Sequence, residues 1–187
     1  MQRTIGACFV LAMLSSLSFA ADPTPADAAK LIEKLKGKSR TDKKTEKILA
    51  VELGRKKVTD ADLKTLGVLT SVRELNVGGV SVTDKNGKSV YSPSGITDEG
   101  LKSIANMTEL RKLQLDGANV TDTGLKHLSG LKNLTDLTLS NTKVTDAGME
   151  TLSKLPKLAT LMVFETKVTE SGVGVLKRAK PDIKVGK

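Results

Sequence analysis

The sequence predicts an α/β solenoid: a right-handed horseshoe segment with a parallel inner sheet and short outer helices. A marker tripeptide recurs along it, as Val58-Thr59-Asp60, Val82-Thr83-Asp84, Val120-Thr121-Asp122 and Val144-Thr145-Asp146, with the variants Ile96-Thr97-Asp98 and Val168-Thr169-Glu170. The step is 24 residues from 58 to 82 and again from 96 to 120, 144 and 168; only the 82-to-96 step differs, at 14, which marks an insertion. A fixed period of about 20 to 29 residues signals stacked structural repeats. Apolar residues hold fixed offsets within the period: Leu110, Leu113 and Leu115 lead to Val120 as Ile48, Val51 and Leu53 lead to Val58, and Leu134, Leu137 and Leu139 to Val144. That first half of each coil alternates as a strand does. The second half, in pairs such as Leu63/Leu66, Leu101/Ile104 and Leu125/Leu128, has helical spacing. Because every crossover has the same sense, the strands run parallel.

Three parts are expected. Residues 1–20 read as a signal peptide: Arg3 is the positive start, Ile5 to Phe19 the apolar stretch, and Ser18-Phe19-Ala20 the small-residue cleavage site. The apolar run is shorter than the roughly 18 residues a membrane span requires, so no transmembrane span is expected. Export to the periplasm, the cell envelope or the extracellular space follows. Cys8 is the one cysteine and leaves with the leader, which removes disulfides, thiolate metal sites and cysteine nucleophiles from the remainder. Residues 21–47 read as a helical cap and basic linker. Thr24 is the expected N-cap, Pro25 the first helical residue and Gly37 the stop, with Ala28, Leu31, Ile32 and Leu35 as the apolar stripe. Residues 38–46 read as a polar connection. The repeat domain is 48–187, with a hairpin-like insertion at about 83–95 in which Asn86-Gly87 is the turn signal.

These coils resemble the leucine-rich repeats of bacterial secreted proteins with the pattern Val-Thr-Asp-x-Gly-Leu-x-x-Leu, carried here by residues 48–185. They are also similar to the repeats of F-box substrate receptors and, more loosely, of ribonuclease inhibitor. The resemblance implies a non-enzymatic module that binds a protein through its concave sheet. The family's asparagine or cysteine ladder position falls on Lys56, Val80, Ala118, Thr142 and Thr166, of which only the threonines suit hydrogen bonding to the loop. A lysine cannot sit unpaired in a dry core, so the first coil is expected to be irregular.

Charge and chemistry narrow the function. The chain carries +9, and Lys34, Lys36, Lys38, Arg40, Lys43, Lys44 and Lys47 concentrate much of the excess ahead of the repeats. That 34–47 segment is either a solvated linker or an attachment to an anionic envelope polymer or membrane surface. Nucleic acid is not expected, since Tyr91 and Phe164 are the only Phe, Tyr or Trp residues beyond the leader and base stacking needs aromatic or arginine platforms. No cofactor, metal or catalytic constellation is expected, and His127 has no second histidine or nucleophile beside it. The repeated Asp60, Asp98, Asp122 and Asp146 either line up as a calcium ladder or accept from orphan amides at the helix starts; the second suits stacked like charges better.

The candidate protein-binding surface is the concave face. Residues between the core leucines point outward there, and the candidates are Lys112, Gln114, Asp116, Asp136, Thr138, Met162 and Phe164. Met162 and Phe164 either stand open as an apolar anchor or are covered by the final coil. Asn86 and Tyr91 in the insertion are a second possible contact, the alternative being an insertion without a role.

Overall fold

The computed structural model describes residues 22–54, 56–79, 81–83, 89–91 and 94–187. The expected signal peptide lies outside the described residues. The chain opens with helix α1, Pro25–Lys34, started by Thr24 and Asp27, each of which bonds the other's backbone N–H in a capping box. Ala28 and Ile32 are its buried face. The helix ends at Lys34, and the left-handed residue after it is Lys36, φ 52°, not the expected Gly37. Gly37 serves a different purpose: a Cβ there would collide with the Leu53 side chain.

Residues 38–46, expected as a polar connection, are a strand and a turn. Strand β1, Lys38–Thr41, pairs antiparallel with β2, Ile48–Glu52, setting Lys38 against Glu52 and Arg40 against Ala50. Asp42 closes the hairpin by accepting from the Lys44 and Thr45 amides at 2.9 and 2.8 Å and from the Thr45 hydroxyl at 2.9 Å. The Thr45 amide is the main reason its carboxyl sits below the ordinary 3.8. All four residues of β1 are exposed, so no apolar alternation marked them as a strand.

Each coil then contributes a strand and an outer helix. After β2 come helix α2 (Asp60–Leu66), β3 (Glu74–Asn76), the insertion strands β4 (Ser81–Thr83) and β5 (Ser89–Tyr91), and α3 (Asp98–Ser103). Next are β6 (Lys112–Gln114), α4 (Asp122–Lys126) with a 3-10 turn at His127–Gly130, β7 (Asp136–Thr138) and α5 (Asp146–Ser153). The chain closes with β8 (Thr160–Met162), α6 (Glu170–Ala179) and β9 (Lys184–Gly186). The main sheet has seven strands in the order β1-β2-β3-β6-β7-β8-β9, parallel from β2 onward. In the insertion β4 and β5 pair antiparallel, Val82 opposite Val90, and the expected Asn86-Gly87 turn lies outside the described residues. Leu113, Leu115, Leu137, Leu139, Leu161 and Leu176 lie fully buried between sheet and helices. Thr142 and Thr166 bond the Leu139 and Val163 carbonyls at 2.6 and 2.7 Å, whereas Lys56 is half-exposed at an irregular turn.

The marker tripeptide divides its work between two coils. Thr59, Thr97, Thr121, Thr145 and Thr169 are each the N-cap of their own helix, as with Thr121 accepting from Thr123 N, whereas Thr83 lies in strand β4. The aspartates were expected to cap as well; instead each reaches the next coil. Asp60, Asp98, Asp122 and Asp146 accept from the backbone N–H of Thr97, Thr121, Thr145 and Thr169 at 2.7–2.9 Å and from their hydroxyls at 2.6–2.7 Å. This needs a glycine: a Cβ on Gly100, Gly124, Gly148 or Gly172 would strike the preceding coil's carboxylate. In α2, the first of these helices, Asp62 replaces that glycine and forms a capping box with Thr59. In α6, Glu170 replaces the aspartate and pairs with Lys187 at 2.8 Å.

Candidate functional site: the concave sheet face

Strand pairing across the sheet turns the 24-residue period into rows of side chains. Ala50, Glu74, Lys112, Asp136 and Thr160 are in one register row, and Glu52, Asn76, Gln114, Thr138 and Met162 in the next. The central residues of the same strands, Val51, Leu75, Leu113, Leu137 and Leu161, are buried on the opposite side. The rows form an open trough of about 620 Å³, walled at its N-terminal end by Lys38, Ser39 and Arg40 of β1.

The first row alternates in sign. Arg40 donates to Glu74 Oε1 at 3.0 Å, and Lys112 stands between Glu74 and Asp136. Opposite charges side by side on neighbouring strands stabilise the sheet by roughly 0.2–1 kcal/mol per pair, so this row is largely compensated within the molecule. The second row is mostly neutral. Among the described residues, Gln114 has no side-chain hydrogen bond within the chain, and Asn76 bonds only its own turn, at Gly78 N.

The trough brings together Lys112, Gln114, Asp136, Thr138 and Met162. Asp116 and Phe164 follow the strands and lie beyond its lining. Asp116 is already occupied: it accepts from Ser140 N at 2.9 Å and from Thr138 Oγ1 at 2.6 Å. Phe164 is 43% exposed. Beside it, β9 runs so close that a Cβ on Gly186 would meet the Phe164 ring at 3.0 Å and collide with Met162 Sδ. β9 thus flanks Met162 and Phe164 without closing over the ring. Asn86 lies outside the described residues, and Tyr91 is placed by its backbone, paired with Ser81.

Lys38 and Arg40 are the lining residues that sequence reasoning missed. The signal that could have found them is Asp42 followed by Thr45, a side-chain-capped turn between two equal stretches of chain. Among the described residues no group of three His, Cys, Asp or Glu side chains could hold a metal ion, and the aspartate ladder is taken up by threonine. No helix among the described residues is long and apolar enough to cross a membrane.

A family match agrees with this architecture over part of the chain. The family described as Leucine rich repeat matches residues 108–167. No curated protein matches the sequence. Among solved structures, an internalin (inlF) from Listeria monocytogenes str. 4b F2365 is similar at 20% identity and a TM-score of 0.39, covering 80% of this chain and 52% of that one. The chain thus spans about half the length of that internalin. The strand pairing shows that the chain folds as an α/β solenoid of the leucine-rich repeat type, and residues 108–167 are similar in sequence to that repeat.

Proposed function

We propose that this chain is an exported, non-enzymatic module that binds a protein partner on its concave sheet face. The observation that carries the reading is the trough itself: an ordered, solvent-open row of neutral amide and hydroxyl groups that runs from Asn76 through Gln114 and Thr138 to an apolar end at Met162. A surface already fixed by its sheet orders little on binding, so a few anchors suffice. Export rests on the leader-like residues 1–20. The competing reading, electrostatic attachment through the basic 34–47 segment, differs in its response to salt, because exposed charge pairs are screened over about 8 Å at physiological ionic strength.

The test is affinity capture from an envelope extract at low and high salt, with Gln114→Ala/Met162→Ala alongside. A protein held at high salt and lost by roughly tenfold in the double variant, the scale of one lost anchor, supports the concave face. Capture that the double variant leaves unchanged refutes it, and salt-labile capture lost on neutralising 34–47 favours the basic segment.

A further inference from the structure

The register row Glu52, Asn76, Gln114, Thr138 and Met162 is polar on four strands and apolar on the fifth. Met162 is half-buried and lines the trough. Its partner on β9 is Gly186, and that glycine sets the position of the thioether. Met162 Sδ and Phe164 Cζ both lie within 3.0 Å of the point where a Cβ on Gly186 would stand. Sulfur and ring edge are therefore no more than about 6 Å apart, the range of a sulfur–aromatic contact. The ring is 43% exposed, so the sulfur sits beside an open ring and not inside a sealed core.

The other sulfur atoms of the chain are placed differently. Met107 and Met149 are fully buried, and Met1, Cys8 and Met13 belong to the leader-like residues 1–20. An oxidant has to reach the sulfur lone pair, so among the described methionines exposure singles out Met162.

We propose that Met162 is a site of oxidation to methionine sulfoxide, and that this modification turns the apolar end of the trough polar. With hydrogen peroxide as the oxidant, the Sδ lone pair attacks one peroxide oxygen. An S–O bond forms as the O–O bond breaks, and the proton on the transferred oxygen passes to the departing hydroxide, which leaves as water. Sulfur loses two electrons and the peroxide gains them. The Gly186 backbone packs against the sulfur, and the neighbouring Thr138 hydroxyl already donates to Asp116 at 2.6 Å. The new oxygen therefore turns to solvent, and a flexible apolar side chain becomes a polar one. The consequence for partner binding rests on the concave-face reading; the oxidation itself does not.

The experiment exposes the full chain to hydrogen peroxide, follows each methionine by peptide mass spectrometry, and repeats the exposure in denaturant. Met162 is expected to oxidise at least about tenfold faster than Met107 and Met149 in the native protein, because buried sulfur reacts only through opening, and at about their rate in denaturant. Oxidised protein is expected to elute earlier from a phenyl column. Met162→Leu keeps the apolar volume without the sulfur, and its elution is expected to be unchanged by the same treatment. In the capture test above, oxidation is expected to weaken high-salt capture by about tenfold, the scale of one lost anchor, and to leave capture by Met162→Leu intact. Equal native oxidation rates for the three methionines overturn the inference. So does elution or capture that oxidation of Met162 leaves unchanged, or that oxidation alters equally in Met162→Leu. Capture indifferent to Gln114→Ala/Met162→Ala refutes the concave-face reading and, with it, the effect on binding; selective oxidation and earlier elution, both read without a partner, distinguish that failure from failure of the modification site.

Discussion

Glycine at the fourth place of the Thr-Asp-x-Gly step is set by the preceding coil, and that makes its mutational behaviour predictable. Gly124→Ala would drive a methyl group into the Asp98 carboxylate and disturb its bonds to Thr121; a cost on the order of 2 kcal/mol is expected in chemical denaturation. Gly174 is also inside a helix, yet a Cβ there meets nothing within 4 Å, so Gly174→Ala should stabilise by roughly 0.5–1 kcal/mol. If both changes act with the same sign, the inter-coil staple is not the reason for the glycine. A second residue-level case is Glu165, at φ 53°, where the equivalent residues of earlier coils are Gly117 and Asn141. Glu165→Asn removes a left-handed penalty of up to about 1 kcal/mol, and a melting temperature unchanged or lowered would contradict this. Asp146 extends the argument to pH. The Thr169 hydroxyl, first, and the Thr169 amide hold its carboxyl below 3.8. A folded-state pKa that is depressed gives stability present above the unfolded value and lost as pH falls through the folded one. Melting temperature should therefore stay level from neutral pH to about 5 and fall below about 4. Asp146→Asn should be less stable at neutral pH and should show a shallower acid limb.

At the level of strands and helices, the alternating leucines are the elements' whole reason to form, since each strand exposes its neighbours and buries its centre. Leu137 is fully buried at the middle of β7. Leu137→Ala should cost about 2–5 kcal/mol by opening a cavity that the coils on both sides cannot close; a cost below about 1 kcal/mol would mean the packing differs. This is also where the sequence was most legible. Strand register and outer helices could be read because periods of 2, 3.6 and 24 all agreed, and the rows through Lys112 and Gln114 followed from the same arithmetic. Strand β1 could not be read in that way, because it buries none of its own side chains and is held by pairing with β2 and by Asp42. The candidate site was correspondingly legible at its centre and not at its N-terminal wall, where Lys38 and Arg40 lie. Asp116 was misjudged for a different reason. A carboxylate on the sheet face looks available until the Ser140 amide and Thr138 hydroxyl of the next coil are placed beside it.

Across the whole molecule, stability is a chain of neighbour-to-neighbour contacts, so it need not be uniform along the solenoid. The aspartate staple continues across the insertion, from Asp60 to Thr97, and ties the two halves. Among the described residues, loop-supporting hydroxyls occur at Ser94, which accepts from Ile96 N at 3.2 Å, and at Thr142 and Thr166, while the first coil turns irregularly around Lys56. The N-terminal neighbour of β2 is a strand exposed at every residue; the neighbours of β7 are buried-centre strands on both sides. Native-state hydrogen exchange tests the consequence with two matched amides. Leu53 N–H donates to Asn76 O at 2.7 Å and Leu139 N–H to Met162 O at 2.9 Å, both from fully buried residues. If the N-terminal coils open locally, Leu53 should exchange at least about tenfold faster than Leu139, a difference of about 1.4 kcal/mol in opening free energy. Equal protection would mean that the staples bind all the coils into one cooperative unit and that the hydroxyl ladder adds no local stability.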